Sequence, residues 1–100
     1  MSAPVDDIFA VEVLDYWQDM TNTRIRSKKM REAILARIGR RLAEGYSPEE
    51  LRRCVDFARF DDFYLRQGYA KQPDVIWRNS ERVQSILSRC AHAAARPLPL

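Results

Sequence analysis

Histidine occurs once in this sequence, cysteine twice and glycine three times, and each scarcity removes a class of function. His92 lies in the alanine-rich stretch Cys90-Ala-His-Ala-Ala-Ala95, where a helix end accounts for it. Without a second histidine, and with Cys54 and Cys90 far apart, the ligand sets that zinc or iron require are missing. Each cysteine falls in a helical apolar pattern, which predicts reduced core thiols rather than a disulfide. There is no glycine-rich phosphate loop and no serine or cysteine with a histidine at hand. Two pairs of adjacent carboxylates remain, Asp61 with Asp62 and Asp6 with Asp7. Helix neighbours point about 100° apart, so neither pair converges on one ion. The expectation is a protein with no catalytic residue, no metal site and no cofactor.

No run approaches the ~20 apolar residues of a membrane span. The start, Met1-Ser-Ala-Pro-Val-Asp-Asp7, lacks the basic beginning and apolar centre of a signal peptide, which predicts a cytoplasmic protein. What is present suits one folded domain. The 100 residues are 46% hydrophobic and 31% charged, a globular balance, and a chain of this length buries about 60 to 70% of its unfolded surface.

Charge is distributed unevenly. Met1 to Thr23 holds five acids and no base, whereas Arg24 to Arg53 holds ten bases and four acids. A basic sector of this kind fits nucleic-acid binding, and a solvated helix face fits it too, since the net charge is only +3.

Apolar spacing predicts the helices. Ile8, Phe9, Val11, Val13, Leu14, Tyr16, Trp17 and Met20 recur three or four apart, giving a helix from Asp6 to Met20 that Thr21-Asn-Thr23 interrupts. Ser27 is the expected N-cap of a second helix, Lys28 to Glu44, with Met30, Ile34, Ile38, Leu42 and Leu35 on its core face and Gly45 ending it. At 100° per residue, Lys29, Arg37 and Arg40 share an ~80° sector opposite that face, with Arg41 at its margin. Ser47-Pro48-Glu49-Glu50 spells a capping box with proline at the first helical position, so a third helix starts there. Its buried side is Leu51, Cys54, Val55 and Ala58. Arg52 and Arg53 sit in its first turn, where the helix dipole disfavours cations, which hints at a reason other than helix stability.

Beyond Phe57 five aromatics fall within thirteen residues, Phe57, Phe60, Phe63, Tyr64 and Tyr69. The reading is a helix continuing to about Gln67, a loop through Gln72, a short helical turn from Pro73 carrying Val75, Ile76 and Trp77, and a last helix from Ser80 with Val83, Ile86, Leu87 and Cys90 inward. No alternating run of strand length occurs. The predicted fold is all-α, a single small domain of about four to five helices over residues 6–92, with loose ends at 1–5 and 93–100.

Four segments carry a resemblance to a known module. They are Val13-Leu-Asp-Tyr16, Ala33-Ile-Leu-Ala-Arg37-Ile, Glu44-Gly-Tyr-Ser47 and Cys54-Val-Asp56, followed more loosely by Pro73-Asp-Val-Ile-Trp77 and Val83-Gln-Ser-Ile-Leu87. In this order they resemble the conserved phage C-terminal domain of replisome-organiser and helicase-loader proteins, which is related to the DnaD C-terminal domain. The likeness covers about three quarters of the chain. Family members carry a tryptophan after the third-helix aspartate, where this sequence has Phe60 or Phe63, and an aromatic pair at the end, where it has aliphatics. They also carry the module behind a winged-helix region, and the sequence reads as the module alone. The resemblance implies replication initiation through single-stranded or non-specifically bound DNA and a replicative helicase.

On that reading Lys28, Lys29, Arg37, Arg40, Arg41, Arg52 and Arg53 contact phosphates without sequence preference. Tyr46, in the turn between the basic helix and the arginine pair, either stacks on a base or packs over Gly45. The other reading is a protein-only adaptor, or a small phage-encoded inhibitor of a host complex. Its surface is Asp15 and Asp19 on the first helix, with Tyr64, Tyr69, Trp77 and Arg78, in a region rich in the aromatic and arginine residues that dominate hot spots. Trp17 and Trp77 lie on apolar stripes and are core residues first, interface residues second. The same aromatics are also compatible with simply filling a small core, and the sequence leaves the oligomeric state open.

Overall fold

Four side-chain caps divide the chain into its helices in the computed structural model, which describes residues 4–95 and, of those, the side chains of 8–90. Ser27 Oγ accepts from the Met30 amide at 3.2 Å and starts the second helix. Ser47 Oγ accepts from the Glu50 amide at 3.1 Å while Glu50 Oε1 accepts from the Ser47 amide at 2.9 Å, the reciprocal box its sequence spells. Asp61 Oδ2 accepts from the Tyr64 amide at 3.1 Å, and Asn79 Oδ1 from the Arg82 amide at 2.7 Å. The elements are α1 (Pro4–Thr21), α2 (Lys28–Ala43), α3 (Pro48–Phe60), α4 (Asp62–Gln67), a 3-10 turn (Tyr69–Lys71), α5 (Pro73–Ile76) and α6 (Ser80–Ala95). The fold is all-α, with no strand among the described residues.

One boundary differs from the sequence reading. The helix expected to run from Ser47 to about Gln67 breaks at Asp61, whose extended backbone (φ −76°, ψ 127°) ends α3 and whose carboxylate opens α4. A short acidic side chain can bond an amide three residues on, so it competes with helix continuation wherever the local backbone allows. The last helix starts at Ser80 as read, with Asn79 as its cap. The expected loop after α4 contains the 3-10 turn, entered through Gly68 at φ 71°. Helix extends to Pro4 and Ala95, beyond the expected 6–92 body. Residues 1–3 and 96–100 of the expected loose ends lie outside the described residues, as do the side chains of Asp6, Asp7 and His92.

α1 packs against α2 and α3, and α3 against α6, around a core in which Val13, Leu14, Trp17, Ile38, Leu51, Val55, Ile76, Trp77 and Val83 are fully buried. Both tryptophans are core residues. Each indole also satisfies its N–H on a distant backbone carbonyl: Trp17 Nε1 donates to Ala70 O at 2.9 Å and Trp77 Nε1 to Leu51 O of α3 at 3.2 Å, so each bond ties a helix to the irregular segment between α4 and α6. On α2 the expected core face is rotated. Ile34 and Ile38 are buried, but Met30 is 54% exposed and Arg41 only 6%. Tyr16 donates to Asp56 Oδ1 at 2.6 Å, tying α1 to α3, and this bond, followed by burial, pushes the tyrosine pKa up.

Cys54 and Cys90 are free thiols, the first buried and the second half-buried. Burial pushes the Cys54 thiol from 9.0 up to about 12, with Cys90 adding to the rise. Cys90 moves in the same direction, chiefly by burial. The native state therefore keeps protons that the unfolded chain releases above about pH 9, so this stabilisation is complete below pH 9 and is lost as pH rises toward 12. Denaturant melts at pH 8 and pH 11 should show a drop in stability that Cys54→Ala reduces. A thiol reagent at pH 8 should modify Cys90 rapidly and Cys54 only as fast as the protein opens.

Candidate nucleic-acid interface

The cations that the helical wheel aligns do not form one strip, because tertiary neighbours claim several of them. Arg41 turns inward beside Glu44, its Nε 3.2 Å from Glu44 Oε1 but off the line of a hydrogen bond, so both Nε and Nη1 are buried without a hydrogen-bond partner. At 6% exposure it does not reach a phosphate, which corrects its assignment as a DNA contact. Arg37 donates from Nη1 to Arg78 O at 3.2 Å and places Nε 3.4 Å from Asp74 Oδ1, locking α2 to the α5 segment. Of that group Lys29 and Arg40 are exposed and outside any ion pair among the described residues, and they lie three turns apart at opposite ends of α2.

Arg52 and Arg53 also have partners. Arg52 lies 3.8 Å from Glu12 of α1, and Arg53 donates to Glu49 Oε1 at 3.0 Å one turn earlier. These contacts supply the reason for two arginines at the unfavourable end of a helix dipole. Tyr46 is half-buried. Its hydroxyl lies 2.9 Å from Ser80 Oγ and donates to Ser80 O at 3.2 Å, so it ties the α2–α3 turn to α6 rather than presenting a free stacking face.

Exposed positive charge collects instead at the start of α2. Arg24, Arg26, Lys28 and Lys29 lie within six residues and are all exposed. Arg24 meets Asp19 at 3.4 Å, with both side chains more than half exposed, so solvent leaves that pair weak. The positive end of the α2 dipole lies among them. Beside them opens a groove of about 780 Å³. Its apolar lining is the exposed Met30 and Ala33 and the half-buried Ile25 and Pro73, over the buried Trp17 and Ile34. Residues 71–74 form the opposite wall, which carries Lys71. Lys28 and Lys29 were legible in the sequence as candidate phosphate contacts. Arg24, Arg26 and Lys71 were not singled out: the first two belong to a visible basic run, but nothing local places Lys71 across a groove from it.

The expected partner surface is likewise redistributed. Trp77 and Tyr64 are 0% and 3% exposed, which corrects their assignment as contact residues. Tyr64 instead packs edge-on against Phe57 and Tyr69, with ring centroids 5.4 and 5.5 Å apart, and accepts a bond from Arg82 at 2.9 Å. Tyr69 is half-buried, while Asp15, Asp19 and Arg78 are exposed. Apolar surface appears at Phe60, Phe63 and Leu65, which are 70%, 49% and 51% exposed, and at Met20, linked through Arg59 to the Phe60 ring. The carboxylate pair Asp61–Asp62 is divided, Asp61 serving as a helix cap. Among the described residues no group of three or more His, Cys, Asp or Glu side chains is placed to hold a metal ion. No described helix is long and apolar enough to cross a membrane.

The arrangement defines a small all-α domain with a cationic corner around an apolar groove. Comparison with protein-family models, curated proteins and solved structures finds no match.

Arg37 and Arg40 should now separate in their effects. Arg37→Glu breaks the link to Arg78 O and sets a carboxylate beside Asp74, and should cost about 1 kcal/mol or more, which lowers Tm by ~4–8 °C in a domain of this size. Arg40→Glu should leave Tm within about 2 °C of wild type, since surface changes away from such contacts stay within ~0.5 kcal/mol. Thermal melts by circular dichroism check both.

Proposed function

We propose that the protein is a non-catalytic module that binds DNA through phosphate contacts without sequence preference, favouring single strands. In line with the replisome-organiser resemblance, it acts in replication initiation in the cytoplasm, beside a partner such as a replicative helicase. The observation that carries the DNA reading is the cluster Arg24, Arg26, Lys28 and Lys29, four exposed cations in six residues with Lys71 across the groove. Asp19, Asp74 and, one turn along α2, Glu32 bring negative charge near them, with Asp19 paired to Arg24 and Asp74 engaged by Arg37. Such a cluster attracts a polyanion and discriminates little among sequences.

The motif residues behind the resemblance have structural employment in this fold. Tyr16 and Asp56, from two separate motifs, share a hydrogen bond, and Tyr46 from a third reaches Ser80. They act as ties between helices, not as DNA contacts.

A second reading, a protein-only adaptor or inhibitor of a host complex, draws on the exposed Met20 and Phe60 and the half-buried Arg59 between them. Arg59 Nη1 lies 3.6 Å from Met20 Sδ, and its guanidinium carbon 5.0 Å from the Phe60 ring centroid. Methionine, arginine and aromatic side chains are enriched at protein interfaces.

Fluorescence anisotropy of a labelled single strand separates the two. If about four phosphates are engaged, log K should fall against log salt with a slope of about −3, at ~0.7 per phosphate. Lys28→Glu with Lys29→Glu should weaken binding more than about tenfold at low salt and flatten that slope, whereas Arg52→Ala with Arg53→Ala should change affinity less than about twofold. No binding by wild type at low salt would overturn the DNA reading and direct attention to the Phe60 patch.

A further inference from the structure

Phosphate binding requires cations but has no use for an apolar cleft. The groove beside Lys28 and Lys29 has one, its accessible apolar lining being the exposed Met30 and Ala33 and the half-buried Ile25 and Pro73, with Trp17 and Ile34 buried beneath. An unstacked nucleobase has a flat face that would cover such a lining, and its own phosphates would then lie at the rim among Arg24, Lys29 and Lys71. We infer that the groove takes one unstacked base of a single DNA strand; this rests on the DNA reading above and supplies its preference for single strands. In a duplex each base is stacked and paired, so filling the groove would require flipping a nucleotide out at a cost of a few kcal/mol. A single strand meets no pairing penalty.

Four polar side chains around the groove already have a partner, which favours holding a base by its face. Thr23 Oγ1 donates to Thr21 O at 3.1 Å, and Ser27 Oγ caps α2. Gln72 Nε2 donates to Gly68 O at 3.4 Å, and Asp74 faces Arg37. A base would therefore be held by its face rather than read along its edges, so any of the four bases fits and the site tolerates every sequence.

The test compares a short labelled oligothymidylate with a strand of equal length and charge whose internal nucleotides are abasic, each titrated with the full chain at low salt. The intact strand should bind at least about fivefold more tightly, the low end of what one base contributes on a protein platform. Ala33→Met, which carries no flat ring for a base to stack on, fills the groove from an exposed helix position. It should bring the intact and abasic strands to the same affinity. The shorter Ala33→Leu should reduce the difference in the same direction, and helicity measurements confirm that both variants are folded. Equal, salt-sensitive binding of intact and abasic strands would overturn base insertion while sparing the DNA reading. An intact-strand advantage that survives both substitutions would also overturn it. Failure of both strands to bind would remove the DNA reading and this inference together.

Discussion

The hydrogen bond from the Trp17 indole to the Ala70 carbonyl determines where the irregular fifth of this protein lies. Residues 61–79 contain only short helical pieces, too brief to be stable alone, and their position depends on what the long helices offer them. Trp17, almost fully buried in α1, satisfies its N–H on that segment and packs beneath it. The chain immediately after Ala70 then becomes one wall of the groove, facing the first turns of α2. Without that bond a buried indole donor would be left unpaired, at a cost of ~1–3 kcal/mol. The core bond and the surface groove are thus two sides of one arrangement.

The same segment divides the arginines and lysines into two populations. At the middle and end of α2, Arg37 and Arg41 face neighbours that neutralise or bury them. At its start, Arg24, Arg26, Lys28 and Lys29 face solvent. Arg37 and Arg41 thus act as internal struts, Arg40 beside them stays exposed, and the exposed charge is concentrated at the helix start. Net charge is only +3, so any field that steers a polyanion comes from this local concentration rather than from the molecule as a whole.

Elements whose signals are local were legible in the sequence. The Ser27 cap, the Ser47–Glu50 box, the Pro73 turn and the two core tryptophans all appear as read, because each depends on residues within a turn or on an apolar stripe. The break at Asp61 was not legible: an aspartate inside an apolar pattern looks like a helix surface residue until its carboxylate is seen on the Tyr64 amide. The cationic strip failed for a different reason. A helical wheel shows which side chains share a face but not which elements cover it, and Arg41 and Arg37 lie where α2 meets its neighbours. Trp77 and Tyr64 were assigned to a surface because aromatic density marks cores and interfaces alike. The groove itself was invisible, since Trp17 and Lys71 are 54 positions apart and only tertiary packing brings them to one cleft.

The central claim is that the start of α2 and the wall at residues 71–74 form one surface for a single DNA strand. Titrating the isotopically labelled protein with an unlabelled oligothymidylate and following backbone amide shifts by NMR tests it residue by residue. The account requires the largest shifts at residues 24–30 and 71–74, with little change in the first turn of α3 around Arg52 and Arg53. Shifts concentrated at Met20, Phe60 and Phe63, or no shifts at low salt, would contradict it.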